Sequence, residues 1–124
     1  MTGEGILRIE TRTGSGEPAV TEAKARCFEK NGRNHVLFEI EGDRCRLKFD
    51  EKALTYRRSG ELAYELRFLP GEETETAMVT PYGTSRLTCM TYLYEKISKE
   101  DEMVLNLRYN VAGEDCDMKI VIVI

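Results

Sequence analysis

Arg58 has the strongest claim to chemistry among the side chains of this sequence, because it follows Leu54 and Tyr56 at two-residue spacing. Alternate residues of a β-strand point to the same face, so this spacing predicts an arginine that faces inward. A buried guanidinium is costly unless it is paired. It can also hold a carboxylate or phosphate through two parallel hydrogen bonds. Arg58 is therefore a candidate ligand contact. The alternatives are an internal salt bridge, or a strand-end arginine whose charged head reaches solvent.

Three tyrosines accompany Arg58 as candidate ligand contacts, namely Tyr56, Tyr64 and Tyr82. Tyr56 and Tyr64 fall on the inward side of their predicted strands. Tyr82 stands between a proline and a glycine in a tight turn, where its ring could close the mouth of a cavity and its hydroxyl could bind a ligand. The alternative for Tyr82 is that it covers one end of the fold, with its hydroxyl bonded to backbone.

The other reactive side chains do not form a recognisable catalytic group. His35 is the single histidine, and its phase places it on the solvent side, directly after a hairpin turn. No catalytic residue is predicted, and we expect the protein not to be an enzyme. Four cysteines are far apart in the sequence, at Cys27, Cys45, Cys89 and Cys116. Without a Cys-x-x-Cys pair they predict no metal site and no cofactor. We expect them to be buried as small apolar side chains.

Ten short strands are predicted to position these residues, since turn signals recur every 8 to 12 residues and the apolar pattern has a period of two. Asn31-Gly32 is the clearest hairpin signal, because these residues accept the positive φ angles of a type I′ turn. In the eighth strand, Leu87, Cys89, Thr91 and Leu93 are predicted to share one face. The predicted strands are 6–12, 20–29, 35–41, 44–49, one around 54–56, 62–69, 73–80, 84–97, 103–111 and 116–124.

Short links between consecutive strands predict an all-β fold, a single antiparallel up-and-down barrel of about 8–10 strands over residues 1–124. A barrel of this size is filled by side chains or holds one small ligand. The inward set mixes small residues such as Ala23 and Ala25 with large ones such as Phe38 and Phe49. This mixed set is compatible both with an interior filled by side chains and with a cavity for a small ligand.

The charge and hydropathy of the chain limit the classes of partner that we expect. The formal net charge is −4 and 32% of residues are charged. Dispersed charge of this sign gives no electrostatic reason to expect nucleic acid or an anionic membrane. No apolar run is long enough to cross a bilayer, and the first residues do not resemble a secretion signal. We therefore expect a cytoplasmic location.

The last predicted strand is apolar on both faces, with Ile120, Ile122 and Ile124 on one side and Val121 and Val123 on the other. Such a strand is either buried on both sides or meets a partner subunit. The sequence supports two explanations equally, a homodimer through Val121 and Val123, or cover by another part of the chain.

Two short motifs go beyond a generic sheet: Arg58-Ser59-Gly60-Glu61 after the fifth strand and Thr80-Pro81-Tyr82-Gly83 after the seventh. Together with the strand order, they resemble the YwiB-like family, small bacterial proteins of unknown function with a calycin-type, lipocalin-like barrel. The resemblance covers about residues 6–124 and implies a closed barrel of eight or more strands. It brings no established activity and no catalytic residues.

These observations predict a binding module for a small, partly apolar ligand, held inside or at the mouth of the barrel by Arg58, Tyr56, Tyr64 and Tyr82. Ligand binding is inferred here from an analogy between folds. The alternative is a protein-interaction domain that assembles through the outer face of the last strand.

Overall fold

Ten β-strands form the structure, a computed structural model that describes residues 2–124. In chain order they are β1 (Gly3–Thr13), β2 (Ala19–Lys30), β3 (Arg33–Ile40), β4 (Asp43–Phe49), β5 (Leu54–Ser59), β6 (Tyr64–Phe68), β7 (Glu73–Thr80), β8 (Gly83–Ser98), β9 (Glu102–Val111) and β10 (Glu114–Val123).

All ten strands belong to one sheet in the order β6-β5-β4-β3-β2-β1-β10-β9-β8-β7. Every ladder between these strands is antiparallel. β1 joins β10 along the register from Ile6–Val123 to Thr13–Cys116. The two sheet edges, β6 and β7, meet through one bridge. In this bridge Ala63 and Val79 exchange N–H···O bonds of 2.9 and 2.8 Å. The predicted antiparallel up-and-down barrel is therefore confirmed, and it is closed except for a weakly bonded seam between β6 and β7.

Two-residue turns with positive φ angles connect several of the strands. Asn31 and Gly32 have φ angles of 54° and 75°, as expected for the predicted type I′ hairpin. Glu41 and Gly42, with φ angles of 51° and 83°, repeat this geometry between β3 and β4. A glutamate rarely adopts positive φ. The turn therefore holds Glu41 in an unusual conformation beside the end of β5.

The barrel interior is occupied by side chains from nine of the ten strands, with β7 contributing none among the described residues. Phe49 and Phe68 are the largest fully buried side chains. All four cysteines are buried and unbonded to each other, which confirms that part of the prediction. Ala25 is buried in the same core cluster as the aromatic residues, and Ala23 is partly buried against it. The observed packing is thus the interlocking of small and large side chains that the sequence allowed.

Two predicted side-chain directions are wrong. The β8–β9 register shifts between Thr91 and Leu93, so Leu93 is 45% exposed instead of facing inward. Tyr94 takes the inward position and packs against the core. Ile124 lies beyond the last residue of β10 and is 40% exposed, because the strand ends before the alternation reaches it.

Candidate functional site

Arg58 ends the inward row of β5 and forms an internal ion pair with Asp43, the first residue of β4. Its Nε donates to Asp43 Oδ2 at 2.8 Å, and the two side chains are only 13% and 9% exposed. Of the alternatives for Arg58, the internal salt bridge is the one that forms. Sequence reasoning did not identify Asp43 as this partner. The signal was present, since Asp43 is in phase with the inward residues Cys45 and Leu47.

The second oxygen of Asp43 is also engaged. Oδ1 accepts the backbone N–H of Glu61 at 3.1 Å. The hydrogen bond from Arg58 holds the pKa of Asp43 below its ordinary value, and the N–H of Glu61 acts in the same direction. Gly60 permits this arrangement, because a Cβ at that position would overlap Asp43 Oδ1. The Gly60-Glu61 part of the first motif is therefore the cradle of a buried carboxylate.

The outer edge of the guanidinium approaches a solvent-exposed acid. Arg58 Nη2 lies 3.8 Å from Glu41 Oε2, and the Glu41 side chain is 86% exposed. Arg58 thus connects a buried carboxylate, which fixes its orientation, to an exposed one at the rim of the barrel. An ion pair this long and this open to water is worth little.

Tyr56 and Tyr64 lie directly beside Arg58. Tyr64 is the cross-strand partner of Arg58 in the β5–β6 register, and the two tyrosine rings are 5.9 Å apart at 37°. Phe38 packs edge-on against Tyr56 at 6.0 Å. Burial raises the pKa of both tyrosines, so their hydroxyls stay protonated. Arg58, Tyr56, Tyr64 and Asp43 therefore form one cluster, which we call the rim cluster.

Tyr82 lies apart from the rim cluster. It occupies the tip of the β7–β8 hairpin and is 99% exposed. Only its backbone is held, through an N–H bond to Thr80 Oγ1 of 3.1 Å. A side chain this exposed neither closes a mouth nor covers an end of the barrel. Its role as a ligand contact stays a prediction.

His35 points to the outer face as predicted, but the expectation that it is exposed is wrong. It is 8% exposed, because its ring stacks on Phe28 with a centroid distance of 4.9 Å and an interplanar angle of 2°. Nδ1 has no hydrogen-bond partner among the described residues. Burial lowers the pKa of His35, and nearby cations, Arg46 and Lys48 first among them, lower it further.

Within residues 2–124, no group of three or more histidine, cysteine, aspartate or glutamate side chains is placed to hold a metal ion. No helix in this part of the chain is long and apolar enough to cross a membrane.

Comparison with known proteins identifies a family and a similar fold. A family model described as "Domain of unknown function (DUF1934)" matches residues 6–119. The chain is also similar to the crystal structure of the ywiB protein from Bacillus subtilis, with a TM-score of 0.87 and 18% identity over 98% of this chain and 91% of that chain. At this identity the likeness shows the fold alone. No curated protein matches. The resemblance to the YwiB-like family, predicted from the two glycine motifs, is confirmed.

Proposed function

The chain belongs to the DUF1934 family, and we propose that it is a non-enzymatic binding module for a small, partly apolar ligand that carries a carboxylate or phosphate. The proposed site is the rim cluster at the barrel mouth, not the interior, because core side chains occupy the interior. The observation that carries the proposal is the inward Arg58, which Asp43 orients through Nε while Nη2 lies 3.8 Å from the exposed carboxylate of Glu41.

On binding, the anionic group of the ligand would replace Glu41, which forms only a weak ion pair with Arg58. The ligand's anionic group displaces Glu41 from Nη2, which costs little because the Glu41 side chain is 86% exposed and 3.8 Å away. Asp43 keeps its bond to Nε and holds the guanidinium plane in place. The apolar part of the ligand packs on the partly buried Tyr64 and Ile40 beside the mouth. Arginine suits this role because its donors match a carboxylate or phosphate in a planar fork.

Binding without catalysis is supported by the state of Asp43. Both of its oxygens accept hydrogen bonds, and its pKa is lowered. A general base works best with a pKa near the working pH. Asp43 is therefore suited to orienting Arg58 and not to proton transfer. We keep the cytoplasm as the proposed location.

Native mass spectrometry of protein purified from its own cytoplasm, compared with the denatured mass, tests the proposal first. We expect an adduct that disappears on denaturation. The matched variant carries Asp43→Asn and Arg58→Gln together, since removing one partner alone would leave an unpaired buried charge. This variant should lose the adduct, and Arg57→Gln on the outer face of the same strand should keep it. A wild-type protein without an adduct, or a double variant that retains it, rejects the proposal.

Glu41→Gln provides an independent test that leaves the buried pair intact. Removing the competing carboxylate should strengthen the binding of decanoate, measured by calorimetry, by about twofold to fivefold, the equivalent of roughly 0.4–1 kcal/mol. Decanol is the control ligand and should bind wild type and variant alike. Equal decanoate affinities for the two proteins would exclude Arg58 Nη2 as the anion site.

The second candidate function is homodimer formation through the outer face of the last strand. Ile6 and Val123 are cross-strand partners and are 49% and 44% exposed. Val121 continues this face toward Val104 on β9 and Ile97 on β8. Ile97 is 39% exposed, whereas Val104 is only 8% exposed. The exposed members of this apolar row support an intermolecular partner.

Sedimentation analysis of Val121→Lys and Val123→Lys tests the dimer. Both variants should sediment as monomers if wild type is a dimer. The control is Val20→Lys, at a side chain that is 47% exposed on β2, and it should remain dimeric. A wild type that stays monomeric at high concentration rejects this candidate and leaves the first one untouched.

A further inference from the structure

Cations collect on the outer face of one half of the barrel. Alternation along β4 turns Arg44, Arg46 and Lys48 to the outside, where β5 adds Arg57 and β6 adds Arg67. Arg26 of β2 extends the same row, because it pairs with Leu37, and Leu37 in turn pairs with Arg46. We call these residues the basic face: Arg26, Arg44, Arg46, Lys48, Arg57 and Arg67.

The cations of the basic face are not used within the protein. None of the six forms an ion pair in the described part of the chain, although Glu4, Glu39 and Glu65 are the cross-strand partners of Arg26, Arg44 and Arg57. The other half of the barrel differs. There, cross-strand neighbours of opposite charge approach closely enough to form ion pairs, as in Arg108–Asp117 at 3.2 Å and Arg8–Glu22 at 3.9 Å.

The centre of the basic face places like charges directly opposite each other. Arg46 and Arg57 are partners in the β4–β5 register, and such a pair destabilises a sheet. An acid at either position would stabilise the fold. This arrangement is therefore better explained by an external anion than by the stability of the barrel.

Aromatic and apolar groups lie among the cations. The stacked Phe28–His35 pair is next to Lys48, the cross-strand partner of His35. Leu37 lies between Arg26 and Arg46 and is partly buried. Beside them a depression of about 460 Å³ opens between β1, β2 and β3, with Lys24, Arg26 and Leu37 in its lining. The pairing of β2 with β3 stops at Arg26–Leu37, and the strands separate there.

We propose that the basic face binds single-stranded nucleic acid. The face extends across five strands, a width of about 19 Å at the usual strand spacing, which suits an extended polyanion and exceeds one small ligand. Five of its six cations are arginines, which bind phosphate in a planar fork and stack on bases. Cations interleaved with aromatic and apolar groups are typical of single-strand binding surfaces.

A membrane fits this face less well. Most of the large apolar side chains that are exposed belong to other surfaces, such as Tyr92 and Leu93, and none of them lies on β3, β4, β5 or β6. Ile6 is the exception, at the depression on the edge of the face. A peripheral membrane protein normally inserts such side chains into the bilayer interface. The basic face offers charge without them.

The net charge of −4 predicted no nucleic acid partner on the premise that charge is dispersed. The fold does not meet this premise, since it gathers unpaired cations on one face. The proposal therefore replaces that expectation. It concerns a different surface from the rim cluster and stands or falls independently of it.

Fluorescence anisotropy with labelled oligo(dT) and oligo(U) of about 20 nucleotides tests the proposal. Wild type should bind, and log K should fall with log salt with a slope of about −2.8 if four phosphates are engaged. Arg46→Glu should weaken binding at least tenfold. The same substitution places opposite charges across the β4–β5 pair, so it should leave Tm unchanged or raise it by about 1–4 °C. A loss of binding together with a gain of stability separates a binding role from a structural one.

The matched control is Arg86→Glu, the same charge change at an exposed side chain of β8. It should change affinity less than twofold. Three results would overturn the proposal: no wild-type binding at about 50 mM salt, equal effects of the two variants, or binding only to anionic phosphatidylserine vesicles.

His35 supplies a local readout because it is the single histidine of the chain. Lys30 and Arg33 on the hairpin and Arg46 and Lys48 on β4 surround it with positive charge. A bound oligonucleotide neutralises that charge, so the imidazole titration followed by NMR should move to higher pH when oligo(dT) is added. An unchanged titration in the presence of saturating oligo(dT) would place the nucleic acid elsewhere.

Discussion

At the scale of single residues, Gly60 is the position where the rim cluster has the least space. A Cβ there would overlap the Asp43 carboxylate and displace either Arg58 or the N–H of Glu61. Overpacking of a tight site costs about 1–3 kcal/mol. We therefore expect Gly60→Ala to destabilise the protein by this amount in urea unfolding. Ser59→Ala, at the exposed neighbour, should be close to neutral, and equal effects of the two would show that Asp43 does not need the glycine.

His35 gives the second prediction at this scale. Its folded pKa is lowered by burial and by neighbouring cations, so the unfolded chain binds a proton at a higher pH than the folded chain does. Stability should consequently fall as pH drops from 7 to 5, through the unfolded pKa of about 6.5. His35→Phe keeps an aromatic ring against Phe28 and should remove most of this loss. The measurement is urea unfolding of both proteins at the two pH values, and parallel losses would contradict the assignment.

The sequence predicted the direction of a side chain where alternation along a single strand determines it, but not the partner of that side chain on another strand. The alternation from Leu54 through Tyr56 correctly placed Arg58 inward, and the burial rule correctly required a partner for it. The partner is Asp43, which depends on the β4–β5 register that pairs Cys45 with Arg58. His35 was wrongly predicted to be exposed. The residue that covers it, Phe28, lies on a neighbouring strand, and alternation along one strand does not reveal such a contact. Contacts between strands were the missing information in both cases.

At the scale of elements, the irregularity in β8 decides which tyrosine is structural. The register shift between Thr91 and Leu93 turns Tyr94 toward the core, where its hydroxyl donates to the carbonyl of Asp50 at 2.6 Å. Tyr92 is left 53% exposed. Loss of one such hydrogen bond costs about 0.5–1.5 kcal/mol. We expect Tyr94→Phe to lose this much in urea unfolding, and Tyr92→Phe to lose almost nothing. Equal losses would argue against the shifted register.

Strand positions and turns were largely predictable from the sequence. Asn31-Gly32 has its own conformational preference, and the predicted seventh strand, 73–80, coincides with β7. The register shift was not predictable, because Leu93 continues the apolar period and no glycine or proline marks the break. A shift of this kind is selected by the fit of β8 against β9, which local sequence does not encode.

At the scale of the whole molecule, the barrel has one strong closure and one weak one. β1 and β10 bring the two ends of the chain together over a continuous register, from Ile6–Val123 to Thr13–Cys116. The seam between β6 and β7 has the single Ala63–Val79 bridge. Short links and edge avoidance predicted a barrel, but nothing in the sequence distinguishes a full ladder from a single bridge.

Threonine side chains replace part of the missing ladder at the seam. Thr74 Oγ1 donates to the carbonyl of Arg67 at 3.0 Å, and Thr76 Oγ1 accepts the N–H of Glu65 at 3.4 Å. Hydroxyl bonds at an exposed edge resist opening less than a backbone ladder does. We therefore expect the seam to open at a lower free energy than the β1–β10 ladder.

Hydrogen exchange should reveal this difference. We expect the amides of Ala63, Val79 and Glu65 to exchange through local opening well before those of Leu7 and Ile122, which lie in the β1–β10 ladder. Replacing Thr74 and Thr76 together with valine should speed exchange at the seam and leave the β1–β10 amides unchanged, since valine preserves shape and removes only the hydroxyl bonds. Thr88→Val, at an exposed threonine of β8, is the control and should alter neither region. If seam amides prove as protected as Leu7, the barrel wall opens only by global unfolding, and the seam is no weaker than the β1–β10 ladder.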